Sequence, residues 1–363
     1  MSASALKHPA RTPRRSRRPV AWLTLLGCLL AAGLPGCSKS DTAQPAAPAV
    51  AVAVPVAGDI NVHDPELVVT KDAWYVFSTG DAKKGNGAPQ IRQSTDQGKT
   101  WTYVGTVWDA RTRPEWAYKK VELLTNFWAP DVTEHDGTYY LYYSASSFGV
   151  NTSVIGVATN TTLDPDNPRY TWVDHGEVIG SKSADDYNAI DPGVLTAEDG
   201  TPWMAFGSFW GGIQLVRLQW PSGKPTAGAK PKGIAIRDTA TNPIEAPILV
   251  RHGSHYYLFV SRDYCCKGTD STYQIAVGRS DSITGPYVDK DGREMSAGGG
   301  TVLLTSQGDI IGPGGQSYDD GYLAFHYYDG AANGTPTLAI RQVLWDDDGW
   351  PVLRTAEELK TPS

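Results

Sequence analysis

A strand, turn and strand unit with a fixed opening recurs along the chain, and nothing else in the sequence restricts the fold as strongly. It reads "HDPELVVTKDAWYVFST", "WAPDVTEHDGTYYLYYS", "IDPGVLTAEDGTPWMAFGS" and "IEAPILVRHGSHYYLFVS", with a looser copy, "IGPGGQSYDDGYLAFHYYD". With Leu67, Val132, Val194 and Ile248 aligned, an aromatic follows at Tyr75, Tyr140, Trp203 and Tyr257. A polar turn, often Asp-Gly or Gly-Ser, separates the two apolar runs of each unit. The aligned positions are 65, 62 and 54 residues apart, and the fifth unit falls near Gly312. Five all-β units at this period, with no amphipathic helix between them, predict a five-bladed β-propeller. One blade cannot bury both of its faces, so the blades must pack radially around a channel.

Three residues ahead of the aligned positions stand Asp64, Ala129, Asp191 and Glu245, with Gly312 in the loose fifth unit. If the opening strand is the innermost of each blade, these positions form a ring and three carboxylates meet at one mouth of the channel. An isolated Asp-Pro is ordinary turn punctuation. Three acids on a shared axis instead repel one another and separate in pKa, which is what acid/base chemistry uses. Two opposed carboxyl groups roughly 6.5–9.5 Å apart suit an inverting glycosidase, one activating water and the other protonating the leaving oxygen. Glu245, in the apolar "PIEAPILV", is the candidate acid, because desolvation keeps a carboxyl protonated. Asp64, beside Asn61 and His63, is the candidate base, and Asp191 would orient the acid. His63 itself is expected to be a spacer packed at the start of the strand.

The ends of the chain read differently. Residues 1–36 carry six basic residues and no acid, then an apolar run from Val20 to Leu34, as a secretion signal does. That run is shorter than the roughly 20 residues a spanning helix needs. "LPGC" resembles a lipobox, so cleavage before Cys37 and lipidation of its thiol are expected. Residues 37–59, rich in Ala, Pro and Val, read as a flexible tether to a domain at 60–363. The expected location is outside the cytoplasm: a lipoprotein anchored only by its N-terminal lipid and facing the periplasm or cell surface, or a secreted protein. Without the signal, 26 basic residues stand against 39 acidic ones, which argues against nucleic acid as a partner. Beyond the tether only Cys265 and Cys266 remain, adjacent, and in an exported chain they are candidates for a vicinal disulfide stiffening a loop beside a site.

The set "HDP", "WAPDV", "NAIDPGV", "GSFWGGI", "IEAP", "DYCCKGTDSTY" and "HYYD", in this order, resembles glycoside hydrolase family 43, and within it the endo-1,5-α-L-arabinanases, over roughly residues 60 to 357. The resemblance implies a five-bladed propeller that hydrolyses α-1,5-linked arabinofuranose chains, in arabinan or pectic side chains, with inversion. It places the general base at Asp64, the pKa-modulating carboxylate at Asp191 and the general acid at Glu245. It implies sugar subsites lined by Asn188, Ser208, Phe209 and Trp210, and a metal ligand at His326, usually for calcium in a water-rich shell. Phe127 and Trp128 are further candidate walls, with a core role as the alternative, which Phe209 shares. The competing readings are an exo-acting arabinanase or arabinofuranosidase, and a lipoprotein that binds oligosaccharide without cleaving it. The insertion "DARTRPEWAYKKVELLTN", residues 109–126, would either block one end of a cleft or close the first blade.

Overall fold

The computed structural model describes residues 51–353 and residue 355, and within them five sheets, antiparallel except at one edge, are arranged as the blades of a propeller, with a separate two-stranded pair of Leu344–Trp345 and Pro351–Val352. Blade one is built from Glu66–Val69, Trp74–Ser78, Gln90–Ser94 and Thr100–Thr106, and blade two from Phe127–His135, Thr138–Ala145, Ser153–Asn160 and Val173–Ser181. Blade three runs through Gly193–Thr196, Pro202–Phe206, Ile213–Gln219 and Lys232–Ala235. Blade four comprises Ile244–His252, His255–Arg262, Gln274–Ser280 and Thr301–Leu304. Blade five takes Ile310–Asp319, Tyr322–Asp329 and Thr335–Gln342 from the end of the chain.

The outermost strand of blade five is Ala53–Val54, from the other end of the domain, paired antiparallel with Arg341 and Ile340. Ala57–Gly58 then runs parallel to Thr100 and Trp101 at the edge of blade one. The propeller therefore begins before the expected boundary at residue 60, and Ala53–Val54 and Ala57–Gly58 of the expected tether belong to its sheets. The signal at 1–36 and the lipidation site Cys37 lie outside the described residues.

The second strand of each blade shows why this sequence packs radially. Successive side chains of a strand point to opposite faces, and here both faces are covered. Trp74 and Val76 join Leu67, Trp101, Ala324 and Ile340 between blades five and one, while Tyr75 and Phe77 join Leu141 and Tyr143 between blades one and two. The same division recurs: Tyr140 and Tyr142 meet Met204 and Phe206, Ala205 meets Leu258 and Val260, and Tyr257 and Phe259 meet Leu323 and Phe325. Five apolar clusters thus fill five interfaces, each fully buried large side chain contributing about 1.5–3 kcal/mol.

The 109–126 insertion holds a short helix, Glu115–Lys120, whose buried Ala117 joins Val121, Leu124, Trp108 and Phe127 in the cluster between blades one and two. It closes that junction, and Leu123 stays exposed.

Candidate active site

Asp64, Ala129, Asp191, Ala246 and Gly315 share an unusual backbone, with φ of 52°, 39°, 57°, 48° and 58°. Four are followed by proline, which normally holds the preceding residue extended, so these turns are held against local preference by the packing around them. Together with Pro65, Pro130, Pro192, Pro247 and Gln316 they line an axial neck of about 30 Å³. This is the ring anticipated from the repeat, with two corrections. In blade four the ring residue is Ala246, and Glu245 stands one residue ahead of it; in blade five it is Gly315 rather than Gly312. The run "PILV" has no polar and apolar alternation to fix its register, and the pairing shifts between Glu245 and Ile248.

Each ring amide is held from the preceding blade. The N–H of Ala129 donates to Thr79 Oγ1 (3.0 Å), that of Asp191 to Ser144 Oγ (3.0 Å), that of Gly315 to Ser261 Oγ (2.9 Å), and that of Asp64 to His326 Nδ1 (3.1 Å). In blade three the pairing of Gly193 with Ala205 puts Gly207 at this position, without a side chain. There the Ala246 N–H donates instead to the Asp191 carboxylate, Oδ2, at 3.1 Å. Asp191 therefore bridges blades three and four directly beneath Glu245.

The three carboxyl groups have different surroundings. Asp64 Oδ2 accepts from His63 Nδ1 (2.8 Å) and from the Thr79 hydroxyl (2.6 Å). Burial pushes its pKa up, but the charge and hydrogen bond of His63, then His326 and Thr79, outweigh that and hold it well below the usual carboxylate range. A Cβ on Gly315 would lie 2.6 Å from Asp64 Oδ1 and 2.7 Å from the His326 ring, so glycine is what leaves room beside that oxygen. Glu245 accepts from the Ser208 hydroxyl (2.5 Å) and from Tyr273 (2.7 Å). Burial drives its pKa upward against those two bonds, with help from the charge on Asp64. Asp191 is raised well above its ordinary value by burial, then by Glu245 and Asp64. One carboxyl is thus held ionised and two are biased toward the proton.

His326 is fully buried, and burial followed by the charge of His63 holds it neutral. Its Nε2 has no hydrogen-bond partner among the described residues. A buried imidazole nitrogen without a partner is completed by water or an ion. With Nδ1 accepting the Asp64 N–H, the hydrogen of the neutral ring sits on Nε2, and a cation fits at Nε2 only in the other tautomer, which gives up that backbone bond. His63 stacks on the same ring, centroids 3.8 Å apart. His63 is therefore a hydrogen-bond partner of Asp64, not the spacer expected from the sequence.

The candidate subsite residues divide. Phe127 is fully buried and packs edge-to-face on Trp108, Tyr118 and Tyr143, so it is core and not a sugar wall. The Ser208 hydroxyl is committed to Glu245, and buried Asn188 accepts from Ser153 through Oδ1 (2.6 Å). Trp128 and Phe209 are half-buried, Phe209 against Tyr264. Trp210 is 41% exposed. Its carbonyl accepts from Asn242 Nδ2 at 2.7 Å, which ties its loop to the segment ahead of blade four. Cys265 and Cys266 are bonded to each other on the loop between the second and third strands of blade four. Thr79 and Tyr273 escaped the sequence reading. Thr79 was legible as one of a column (Thr79, Ser144, Ser261, His326) at matching positions along or just past the second strand of four blades, whereas the reach of Tyr273 depends on a loop path.

Residues 55–351 match Glycosyl hydrolases family 43. The chain belongs to this family. It is a glycoside hydrolase, and known relatives surround it. The extracellular endo-α-(1→5)-L-arabinanase 1 of Bacillus subtilis is 43% identical over 293 residues, 80% of this chain and 87% of the relative. The extracellular exo-α-(1→5)-L-arabinofuranosidase ArbA of Cellvibrio japonicus is 41% identical over 310 residues, 81% of this chain and 87% of the relative. The family 43 endo-arabinanase of Bacillus licheniformis, a solved structure, superposes with a TM-score of 0.76 at 42% identity, covering 82% of this chain and 99% of that one. The family 43 propeller is thus common to this chain and to relatives that attack arabinan from within or from the end.

Proposed function

We propose that this family 43 enzyme hydrolyses α-1,5-linked arabinan internally and with inversion, Asp64 serving as general base, Glu245 as general acid and Asp191 as the carboxyl that tunes the acid. The observation that carries the reading is the opposite treatment of Asp64 and Glu245 at one channel mouth. With Oδ2 filled by His63 and Thr79, Asp64 has Oδ1 left to take a proton from water attacking the anomeric carbon. Glu245 delivers its proton to the departing oxygen. The hydroxyls of Ser208 and Tyr273 then donate to the carboxylate it becomes, so the acid is not left bare after transfer. Asp191, neutral beneath it, adds no repulsion to that new charge. The sugar face has Trp210 to stack on.

Calcium, if bound at His326 Nε2 and otherwise ringed by water, supplies positive charge beside Asp64. Export agrees with the extracellular relatives. A lipid at Cys37, holding the enzyme to a membrane, rests on the sequence alone.

The test is the product profile from linear 1,5-arabinan. A ladder of short oligosaccharides from the earliest times is expected. One short product from the outset would assign exo attack instead, and polymer bound but uncut would overturn the catalytic reading.

A further inference from the structure

Resting on Asp64 as the base, we propose that the Cys265–Cys266 disulfide loop, acting through the Cys266 amide, Tyr328 and His63, fixes the orientation of the Asp64 carboxylate. Tyr328 and the disulfide are then positioning elements for catalysis, although neither touches substrate.

The chain of contacts is continuous. The Cys266 N–H donates to Tyr328 Oη at 2.7 Å, Tyr328 Oη lies 2.9 Å from His63 Nε2, and His63 Nδ1 donates to Asp64 Oδ2 at 2.8 Å. Its members come from three places in the fold: the blade-four loop, the second strand of blade five, and the segment leading into blade one. His63 is a quarter exposed at the channel mouth, so packing covers only part of its ring. Stacking on His326 fixes the plane of that ring but not its rotation within the plane. Two bonds, one at each nitrogen, set the rotation. Whichever atom carries the hydrogen between Nε2 and Oη, Nδ1 remains the donor to Asp64.

The outer end of the chain depends on one amide direction. Cys266 adopts φ of 67°, a left-handed conformation that side chains other than glycine rarely hold unaided. The bond between neighbouring sulfurs constrains the peptide joining them, and so the direction of the Cys266 N–H. The base of the loop is tied separately, by Thr272 N–H to the Tyr264 carbonyl (2.9 Å) and Lys267 N–H to Ser271 Oγ (3.0 Å). Opening the disulfide should therefore loosen the tip without unfolding the loop. Cys266 is exposed, within reach of a dithiol. The dithiol gives two electrons and two protons, leaving two protein thiols and a cyclic disulfide of its own, and oxidation reverses the step.

The experiment compares kcat and KM on linear 1,5-arabinan, and hydrogen exchange of the peptide containing residues 60–66, before and after dithiol treatment. For the wild type, reduction is expected to lower kcat about tenfold with KM within about twofold, since misplacing a catalytic group costs rate rather than binding. Exchange at residues 60–66 should quicken, and reoxidation should restore both. Tyr328→Phe should reproduce the kcat loss without dithiol. The double variant Cys265→Ser, Cys266→Ser should start low and ignore dithiol. Reduction that changes neither kcat nor exchange overturns the proposal, as does an equal response in the double variant. If the wild type leaves arabinan uncut, the function proposed above fails, and exchange alone still decides whether the loop holds the His63–Asp64 segment.

Discussion

Asp64 and Glu245 carry the same chemical group, and their neighbours give them opposite states: two donors on one oxygen of Asp64, and burial against hydroxyls at Glu245. A second pair of acids lies deeper in the channel, in a cavity of about 700 Å³ behind the neck. Glu66 Oε1 accepts the Val132 N–H at 3.2 Å, and Asp131 accepts the Val194 N–H at 3.3 Å, so each acid ties its blade to the next. Burial pushes Asp131 up to about 7, and burial followed by Asp131 pushes Glu66 well above its ordinary value. In both, the folded pKa lies above the unfolded one, so between about pH 4 and 7 the native state holds more protons. Their contribution is therefore most favourable below the unfolded pKa and is lost as pH rises through the folded one. Glu66→Gln keeps an acceptor for Val132 without the charge. The thermal midpoint of the wild type should fall across that window. The variant should fall less and melt roughly 2–4 °C higher at pH 7, the shift expected of about 1 kcal/mol in a large domain. Parallel melting curves would show that the pair does not titrate there. At this scale the sequence displayed the acids but not their hydrogen bonds, which is why His63 read as a spacer and the bond from Ser208 to Glu245 was not foreseen.

Among elements, the strand least visible in the sequence does the closing. Ala53–Val54 lies in a run of Ala, Val and Pro whose composition resembles a tether, yet it completes blade five. Its surroundings add backbone bonds from Gln342 N–H to the Val52 carbonyl (2.9 Å) and from Ala57 N–H to the Lys99 carbonyl (2.8 Å). A chain beginning at residue 59 should melt lower than one beginning before Ala51, by roughly 5 °C if two to three net hydrogen bonds of about 1 kcal/mol each are lost. Equal midpoints would mean that the first and last blades hold together without this strand. The inner strands were legible because a hydrophobic run, a polar turn and an aromatic recur in order. Their register was less so, because apolar stretches such as "PILV" are buried on both faces and carry no alternation. Hence Glu245 was placed on the ring that Ala246 occupies, although the conclusion that its carboxyl joins the group at the mouth survives the slip.

For the whole molecule, radial packing explains both rigidity and chemistry. Five apolar interfaces lock the blades, and the loops ahead of the inner strands converge where the blades are narrowest, so Asp64, Asp191 and Glu245 from three blades share one field. Repetition made the five-bladed architecture readable from the sequence, whereas the roles within the mouth come from residues that break the repeat: Gly207 without a side chain, His326 in place of a hydroxyl, Glu245 beside the ring. The division of labour between acid and base is tested most directly with an aryl arabino-oligosaccharide whose leaving group needs no protonation, alongside linear arabinan. Glu245→Gln should lose about a thousandfold or more on arabinan and keep most of its activity on the aryl glycoside, while Asp64→Asn should lose both. Equal losses of Glu245→Gln on the two substrates, or aryl glycoside activity retained by Asp64→Asn, would contradict the assignment.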